Sequence, residues 1–213
     1  MLIEASDLIK LYKNKIWHNN IIILDASWYL PNQKRNPYKE YKNSHIPHAL
    51  YFDIDKVCNL ESNLPHTVPT ESQFIKNMEE LGIGNKNHII IYSYDGIGTS
   101  PRAWWLFKLF GHQNISILNG GLQAWLKISL PENKNILKVI SSKYKAKLNK
   151  NLLTLHKDIT NSFNSSNYQI VDARSTGRFR GIDEEPRPGL RKGHIPNSIN
   201  IPFNFFIDKN GYF

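Results

Sequence analysis

A short pattern that occurs twice limits this chain more than any other sequence feature. Each copy begins with an apolar run that ends in an aspartate, within Ile21–Ser27 and within Gln169–Ser175. About twenty residues after each aspartate comes the triplet His-Ile-Pro, at His45–Pro47 and at His194–Pro196. Matched elements at nearly equal spacing mark a repeated structural unit. The sequence therefore predicts a duplicated domain.

The first copy alternates strand-like and helix-like segments. Short continuous apolar runs are typical of buried parallel strands, and they alternate here with segments that have helical spacing. This order predicts an α/β domain with a parallel sheet and helices on both faces. The predicted strands are the run that ends at Asp25 within Ile21–Ser27, His88–Tyr92 and Ile115–Leu118, and the predicted helices are Ser72–Leu81 (N-cap Thr70 or Ser72), Pro101–Phe110 (N-cap Ser100) and Leu122–Leu126.

The second copy contains its first strand and its His-Ile-Pro triplet, but no counterpart of residues 72–126. We expect a complete domain at 1–130, a Lys/Asn-rich linker at 131–152 and an incomplete second copy at 153–213. About 60 residues are few for a stable α/β unit of this kind, so we expect exposed apolar side chains, self-association and rapid proteolysis beyond about residue 150. The apolar side chains concerned are Ile199, Ile201, Phe203 and Phe205.

The formal net charge is +9, from 27 basic and 18 acidic residues. The lysines are scattered, and no nucleic-acid-binding motif accompanies them, so we expect no nucleic-acid partner. A positive field does suit a small anionic substrate. No apolar run reaches the roughly 18 residues that span a bilayer, and the N-terminus looks like the start of a helix rather than a signal peptide. These features predict a cytoplasmic protein without a membrane partner.

The sequence has one cysteine, Cys58. A single thiol excludes an internal disulfide and fits a reducing compartment. Reactive thiolates need nearby positive charge or backbone N–H groups, whereas Cys58 follows Asp53 and Asp55 and precedes no glycine-rich turn. We therefore predict an inert thiol. Phosphatase chemistry on a Cys-x5-Arg loop is excluded because the sequence has no such loop.

The order and spacing of many short segments resemble those of the two-domain thiosulfate and 3-mercaptopyruvate sulfurtransferases of the rhodanese family. The resemblance covers essentially the whole chain and implies a rhodanese-like fold. The matching segments are Leu24–Tyr29, His45–Pro47, Phe52–Asp55, Leu64–His66, Ser100–Trp105, Phe110–His112 and Asn119–Trp125, then Val171–Arg174, Gly177–Gly181, Glu185–Leu190 and Gly193–Pro196.

In this family a cysteine thiolate, in the turn between a strand and a helix of the second domain, attacks a sulfane sulfur. The resulting persulfide passes its sulfur to a thiol or to cyanide. The equivalent turn of the first copy carries Asp95, which cannot hold sulfane sulfur and would repel an anionic donor. The family's first domain is likewise non-catalytic. The second copy lacks the cysteine segment, so the resemblance implies a C-terminally truncated, inactive chain with no catalytic residue.

The resemblance also implies a substrate site. Arg178 and Arg187 match two arginines that bind the donor anion, and guanidinium groups suit carboxylates and thiosulfonates. Asp55 and His66 match an acid and a histidine at the interdomain cleft. No cofactor or metal is implied, and the expected partners are a small anionic sulfur donor and a thiol acceptor. Residues 185–189 favour 3-mercaptopyruvate over thiosulfate.

Two other interpretations accompany this assignment. The histidines His45 and His194 recur in both copies, one of which is non-catalytic, so we expect them to support the fold. The tryptophans Trp104, Trp105 and Trp125 are expected in the core. An alternative function stays open, in which the chain is a non-catalytic binding or regulatory module.

Overall fold

The computed structural model describes residues 2–13, 20–128, 139–161, 168–187 and 189–213. The chain divides into two compact units. The first unit comprises Met1–Asn149 together with Asn210–Phe213, and the second comprises Lys150–Lys209. This division differs from the predicted boundaries at both ends of the second unit.

The described part of the first unit is built on a five-stranded parallel sheet. Its strands are β1 (Leu2–Ile3), β2 (Ile21–Asp25), β3 (Leu50–Tyr51), β4 (His88–Tyr92) and β5 (Ile115–Leu118). They lie in the order β1-β5-β4-β2-β3. The central strands β2 and β4 pair from Ile21 beside His88 to Asp25 beside Tyr92. Both strands are apolar, as is typical of a sheet that helices cover.

Five helices of the described first unit surround this sheet. Successive side chains of a strand alternate between faces, so Ile90 of β4 points to one face and Ile89 and Ile91 to the other. Ile90 packs in a cluster with Leu8 and Trp125, and helix α4 (Ser100–Leu109) contacts β4 as well. The helices are α1 (Ala5–Lys13), α2 (Pro37–Asn43), α3 (Glu71–Glu80), α4 (Ser100–Leu109) and α5 (Gly121–Lys127).

The predicted strands and helices of the first unit are present, with two corrections. The N-terminus forms β1 before α1 begins, and this strand pairs with β5 at the sheet edge. The predicted N-cap Ser100 is wrong: Thr99 is the N-cap of α4. Ser100 is already helical, and its buried hydroxyl donates to the Ile97 carbonyl instead. The N-cap Thr70 is confirmed, because it forms a capping box with Gln73.

Residues 139–149 of the predicted linker pack along the first unit. Tyr144 is buried, and its ring stacks on His112 at a centroid distance of 6.0 Å. Lys145 and Asn85 exchange two hydrogen bonds, of 2.8 and 2.7 Å. At the end of the segment, Asn149 N–H donates to a carbonyl of α4 at 2.7 Å. Residues 131–138 of the predicted linker lie outside the described residues.

The second unit contains a two-stranded parallel sheet among its described residues. Asp172 pairs with Asn200 there as Asp25 pairs with Tyr51 in the first unit. The next backbone bond also recurs: Ile201 N–H donates to the Asp172 carbonyl at 3.0 Å, as Phe52 does to Asp25 at 2.8 Å. The elements are α6 (His156–Asn161), β6 (Val171–Asp172), α7 (Thr176–Phe179) and β7 (Ile199–Asn200). The expected exposed apolar side chains are exposed, including Phe203 and Phe205 at 59% and 73%.

Truncating the buried tyrosine of residues 139–149 tests their role. Tyr144→Ala removes a ring that packs on Phe74 and His112, so we expect the free energy of unfolding to fall by about 3 kcal/mol. Chemical denaturation measures this change. The exposed neighbour Lys143→Ala is the matched control and should change stability little. A loss for Tyr144→Ala no larger than that of the control would mean that the segment is only a linker.

Candidate functional site

The loop between β4 and α4 lies where the resemblance puts the cysteine turn of the family. It runs from Ser93 to Thr99. The buried Ser93 hydroxyl donates to the Ile97 carbonyl at 2.6 Å and closes the turn. Tyr94 N–H donates to the Ser27 hydroxyl at 2.8 Å, which ties the loop to the end of β2. The predicted order of strand, loop and helix is present here.

The Asp95 carboxylate in this loop is paired with a guanidinium group. Arg35 Nη1 lies 2.6 Å from Asp95 Oδ2. The same guanidinium donates to Glu40 through Nε and Nη2, at 2.9 and 2.6 Å, and stacks on Tyr29 at 3.7 Å from the ring centroid. The hydrogen bonds from Arg35 lower the pKa of Glu40. Because this one guanidinium is shared between two carboxylates, the cluster keeps a net negative charge, and the expectation that Asp95 repels an anionic donor stays a prediction.

Sequence reasoning missed Arg35 as a residue of this site. It lies in the loop before α2, sixty residues from Asp95 in sequence. No local motif connects the two positions. Only the parallel sheet, which gathers the carboxyl ends of its strands at one edge, brings the two side chains together.

Asp55 and His66 come together as predicted. His66 Nε2 lies 2.6 Å from Asp55 Oδ1. Trp28 Nε1 donates to the same oxygen at 3.0 Å, and its ring meets the His66 ring edge-on at 4.8 Å. The Arg102 guanidinium donates to the His66 carbonyl. A carboxylate that holds one imidazole nitrogen fixes the orientation of the ring, as a proton-transfer group requires.

Cys58 lies beside this pair, in a setting that favours the neutral thiol. Its side chain is buried, and Sγ donates to the Asp55 carbonyl at 3.0 Å. Burial raises the pKa of the Cys58 thiol, and the charge of Asp55 raises it further. Arg102 and a backbone hydrogen bond at His66 act in the opposite direction but do not outweigh burial.

In the second unit, Arg178 is held by a carboxylate. It lies on α7 and donates to Glu185 Oε2 through Nη2 at 2.6 Å and Nε at 3.2 Å. Arg174 donates to the other oxygen of Glu185 at 2.8 Å and also pairs with Asp172. The Glu185 side chain is 5% exposed, and Arg178 lowers its pKa first and most strongly.

The role of Glu185 and Arg174 was missed by sequence reasoning, although both residues lie in segments of the resemblance. Their positions show no alternating charge pattern, because the network joins residues 11 apart across a turn. Arg187 follows Glu185 by two positions and is half-buried. That Arg178 and Arg187 act together on one anion stays a prediction.

His45 and His194 have matching environments in the two units. His45 Nδ1 lies 2.7 Å from the carbonyl oxygen of Tyr41, and its ring stacks on the Tyr41 ring at 4.4 Å. His194 does the same with Phe179, at 2.8 and 3.9 Å. Each imidazole therefore bonds a carbonyl of a helix and packs on the aromatic ring of the same residue, which supports the predicted fold role.

Residues 8–128 match the rhodanese-like domain family, and the chain belongs to that family. It is 40% identical over 191 residues to the human 3-mercaptopyruvate sulfurtransferase, an alignment that covers 89% of this chain and 64% of the relative. It is 38% identical over 192 residues to a thiosulfate sulfurtransferase of Gallus gallus, an alignment that covers 89% of this chain and 65% of the relative. The chain thus spans just under two thirds of the length of these relatives.

Solved structures give the same fold over the whole chain. The 3-mercaptopyruvate sulfotransferase SseA of Escherichia coli superposes with a TM-score of 0.88 at 31% identity, covering 100% of this chain and 78% of that one. Tum1 of Saccharomyces cerevisiae superposes with a TM-score of 0.90 at 26% identity, and the match covers 100% of this chain and 73% of Tum1. The α/β rhodanese fold predicted from the sequence is therefore confirmed.

Among the described residues, no group of three or more His, Cys, Asp or Glu side chains could hold a metal ion. No helix in the same part of the chain is long and apolar enough to cross a membrane.

The thiol chemistry of Cys58 can be tested directly. Because burial raises its pKa, the thiolate fraction at pH 8 should be lower than that of a free cysteine. We expect Ellman's reagent to modify the folded protein at least about a hundredfold more slowly than the unfolded protein. The absorbance of the aromatic thiolate released from the reagent measures the rate of modification. The same chain unfolded in guanidinium chloride is the control. Equal rates in the two states would contradict the neutral, buried thiol.

Proposed function

We propose that this chain is a sulfurtransferase-family protein that binds a small anionic sulfur donor through Arg178 and Arg187. The donor class is 3-mercaptopyruvate or thiosulfate, and the sulfur acceptor is a thiol or cyanide. The relatives named above are sulfurtransferases for these two donors. The residues of the chain that would meet the donor are the arginines of the second unit.

The observation that carries this proposal is the Glu185 carboxylate, which holds Arg178 in one orientation. An exposed arginine must lose side-chain entropy when it binds an anion, and a preset guanidinium has already lost it. Glu185 has both oxygens engaged, one by Arg174 and one by Arg178. A fixed guanidinium with further N–H groups suits a planar carboxylate such as that of a 2-oxo acid.

We propose a secondary role for Asp55 and His66. The carboxylate fixes the imidazole, so the pair could move a proton when a donor or acceptor thiol is bound. The Trp28 ring packs edge-on against the imidazole and limits its movement.

These 213 residues contain one cysteine, and its setting argues against persulfide chemistry. A nucleophilic thiol needs thiolate character and access to the donor. Cys58 is buried, and its pKa is raised. We therefore propose that these residues bind the donor but do not turn it over.

A specific observation favours the second candidate function, a non-catalytic binding or regulatory module. The loop at Asp95 is held by Arg35, and its backbone contacts the segment Asn210–Phe213. A loop whose carboxylate and backbone groups already have partners is better suited to binding than to sulfur transfer.

The exposed Phe203 and Phe205 would provide a self-association surface. Sedimentation at increasing protein concentration tests this.

The cytoplasmic location also stays a proposal. One relative, of Arabidopsis thaliana, is named as a mitochondrial thiosulfate/3-mercaptopyruvate sulfurtransferase. Fractionation of cells that express the protein distinguishes the two compartments.

Charge-matched variants test the donor site. We expect Arg178→Gln to weaken binding of 3-mercaptopyruvate by about tenfold or more, because charge-assisted hydrogen bonds to the carboxylate are lost. Isothermal titration calorimetry of the full chain gives the dissociation constants. Arg180→Gln, two residues away, removes the same charge and is the control. Equal weakening by both variants would reduce the site to a general positive field, and no binding by the unaltered chain would overturn the proposal.

A further inference from the structure

Four residues after the second unit return to the first unit and contact the loop at Asp95. Within this docking segment, Asn210–Phe213, the Gly211 carbonyl accepts from Ile97 N–H at 3.2 Å. Phe213 N–H donates to Asn119 Oδ1 at 2.8 Å, at the end of β5. Lys127 Nζ lies 5.4 Å from the centre of the Tyr212 ring. The segment thus spans the loop after β4, the end of β5 and the end of α5.

The surface under the docking segment is shaped by glycines. A Cβ atom at Gly96 would lie 2.5 Å from the Gly211 oxygen, and one at Gly120 would lie 2.7 Å from Cζ of Tyr212. Both distances are too short for any side chain. Gly211 is equally constrained, because its φ is +82° and a Cβ there would lie 2.8 Å from Cα of Gly96. The backbone of Gly211 therefore packs directly on the backbone of Gly96, and the Tyr212 ring packs on Gly120, which has no side chain.

A second hydrogen bond of Asn119 orients the side-chain oxygen that accepts from Phe213 N–H. Asn119 Nδ2 donates to Glu4 Oε1 at 2.8 Å, which turns Oδ1 towards the Phe213 amide. Asn119 is itself buried. A buried amide with both ends engaged gives directional recognition of an incoming N–H group.

The Asp95 loop is therefore held from two sides. Arg35 holds its carboxylate, and Gly211 holds the amide of Ile97, a residue that is 4% exposed. The contact with Gly211 leaves the Ile97 amide bonded to a carbonyl oxygen.

We propose that this surface, formed by Gly96, Ile97, Asn119 and Gly120, is a recognition site for a glycine-aromatic peptide. Its occupant is the chain's own Gly211–Phe213. Docking of that segment orders the loop at Asp95. The inference is independent of the proposed donor site, because it involves no residue of the second unit and no sulfur chemistry.

The test uses the full chain with one glycine altered. Gly211→Ala should displace the docking segment, so hydrogen exchange of the Ile97 amide should become about tenfold faster or more. Amide exchange followed by NMR measures this rate. Gly189→Ala is the matched control: its φ is +81°, and a Cβ there meets nothing within 4 Å. It carries the same backbone strain without the contact and should leave Ile97 unchanged.

A synthetic peptide supplies the second arm. A peptide of residues 208–213, added to the Gly211→Ala chain, should restore slow exchange at Ile97 and should leave the unaltered chain unchanged. Unchanged exchange in Gly211→Ala, or equal acceleration by Gly189→Ala, would overturn the proposal. Failure of the peptide to restore protection would overturn recognition of the peptide by this surface. Donor binding is measured separately, so either result leaves the donor site to its own test.

Discussion

The arrangement at the carboxyl edge of the first sheet depends on one buried carboxylate. Asp25 ends β2, is 2% exposed, and accepts a hydrogen bond from Ser27 N–H at 2.9 Å. Burial raises its pKa, and the hydrogen bonds from Ser27 and Tyr92 oppose that shift. The turn so fixed presents the Ser27 hydroxyl to Tyr94 N–H. The loop that carries Asp95 is therefore positioned by the neighbouring strand as well as by its own residues.

The second unit repeats the carboxylate in a different electrostatic setting. Asp172 accepts from Arg174 N–H at 2.9 Å, in the geometry that Asp25 has with Ser27. Here the side chain at that position is an arginine, and it lowers the pKa of Asp172 where burial raises that of Asp25. The arginine then extends the network to Glu185 and Arg178. The same backbone arrangement thus fixes a loop in the first unit and, through Glu185, the Arg178 side chain in the second.

The sequence predicted what depends on neighbours along the chain. The strand His88–Tyr92 follows from its apolar run, and the start of α3 from the Thr70 capping box. It did not predict contacts between distant segments. The edge strand β1 has two residues, too few for a periodic pattern. Residues 139–149 look like a polar linker because backbone groups, which leave no sequence pattern, make hydrogen bonds to the first unit.

The same distinction separates the residues of the candidate site that the sequence could identify from those that only the structure shows. Arg178, Asp55 and His66 could be named because they lie in motifs that resemble a family. Arg35 and Glu185, which hold Asp95 and Arg178, could not be assigned those roles. Ion pairs depend on where side chains meet in three dimensions, and their partners here are separated by loops that no spacing rule spans.

The most direct test of the account is turnover by the purified chain, since its central claim is that these residues have a rhodanese fold without a reactive thiol. The chain is incubated with 3-mercaptopyruvate or thiosulfate, with cyanide as acceptor, and thiocyanate is measured against a blank without protein. We expect a rate equal to the blank, unchanged by Cys58→Ser. Turnover well above the blank that Cys58→Ser abolishes would contradict the absence of a reactive thiol.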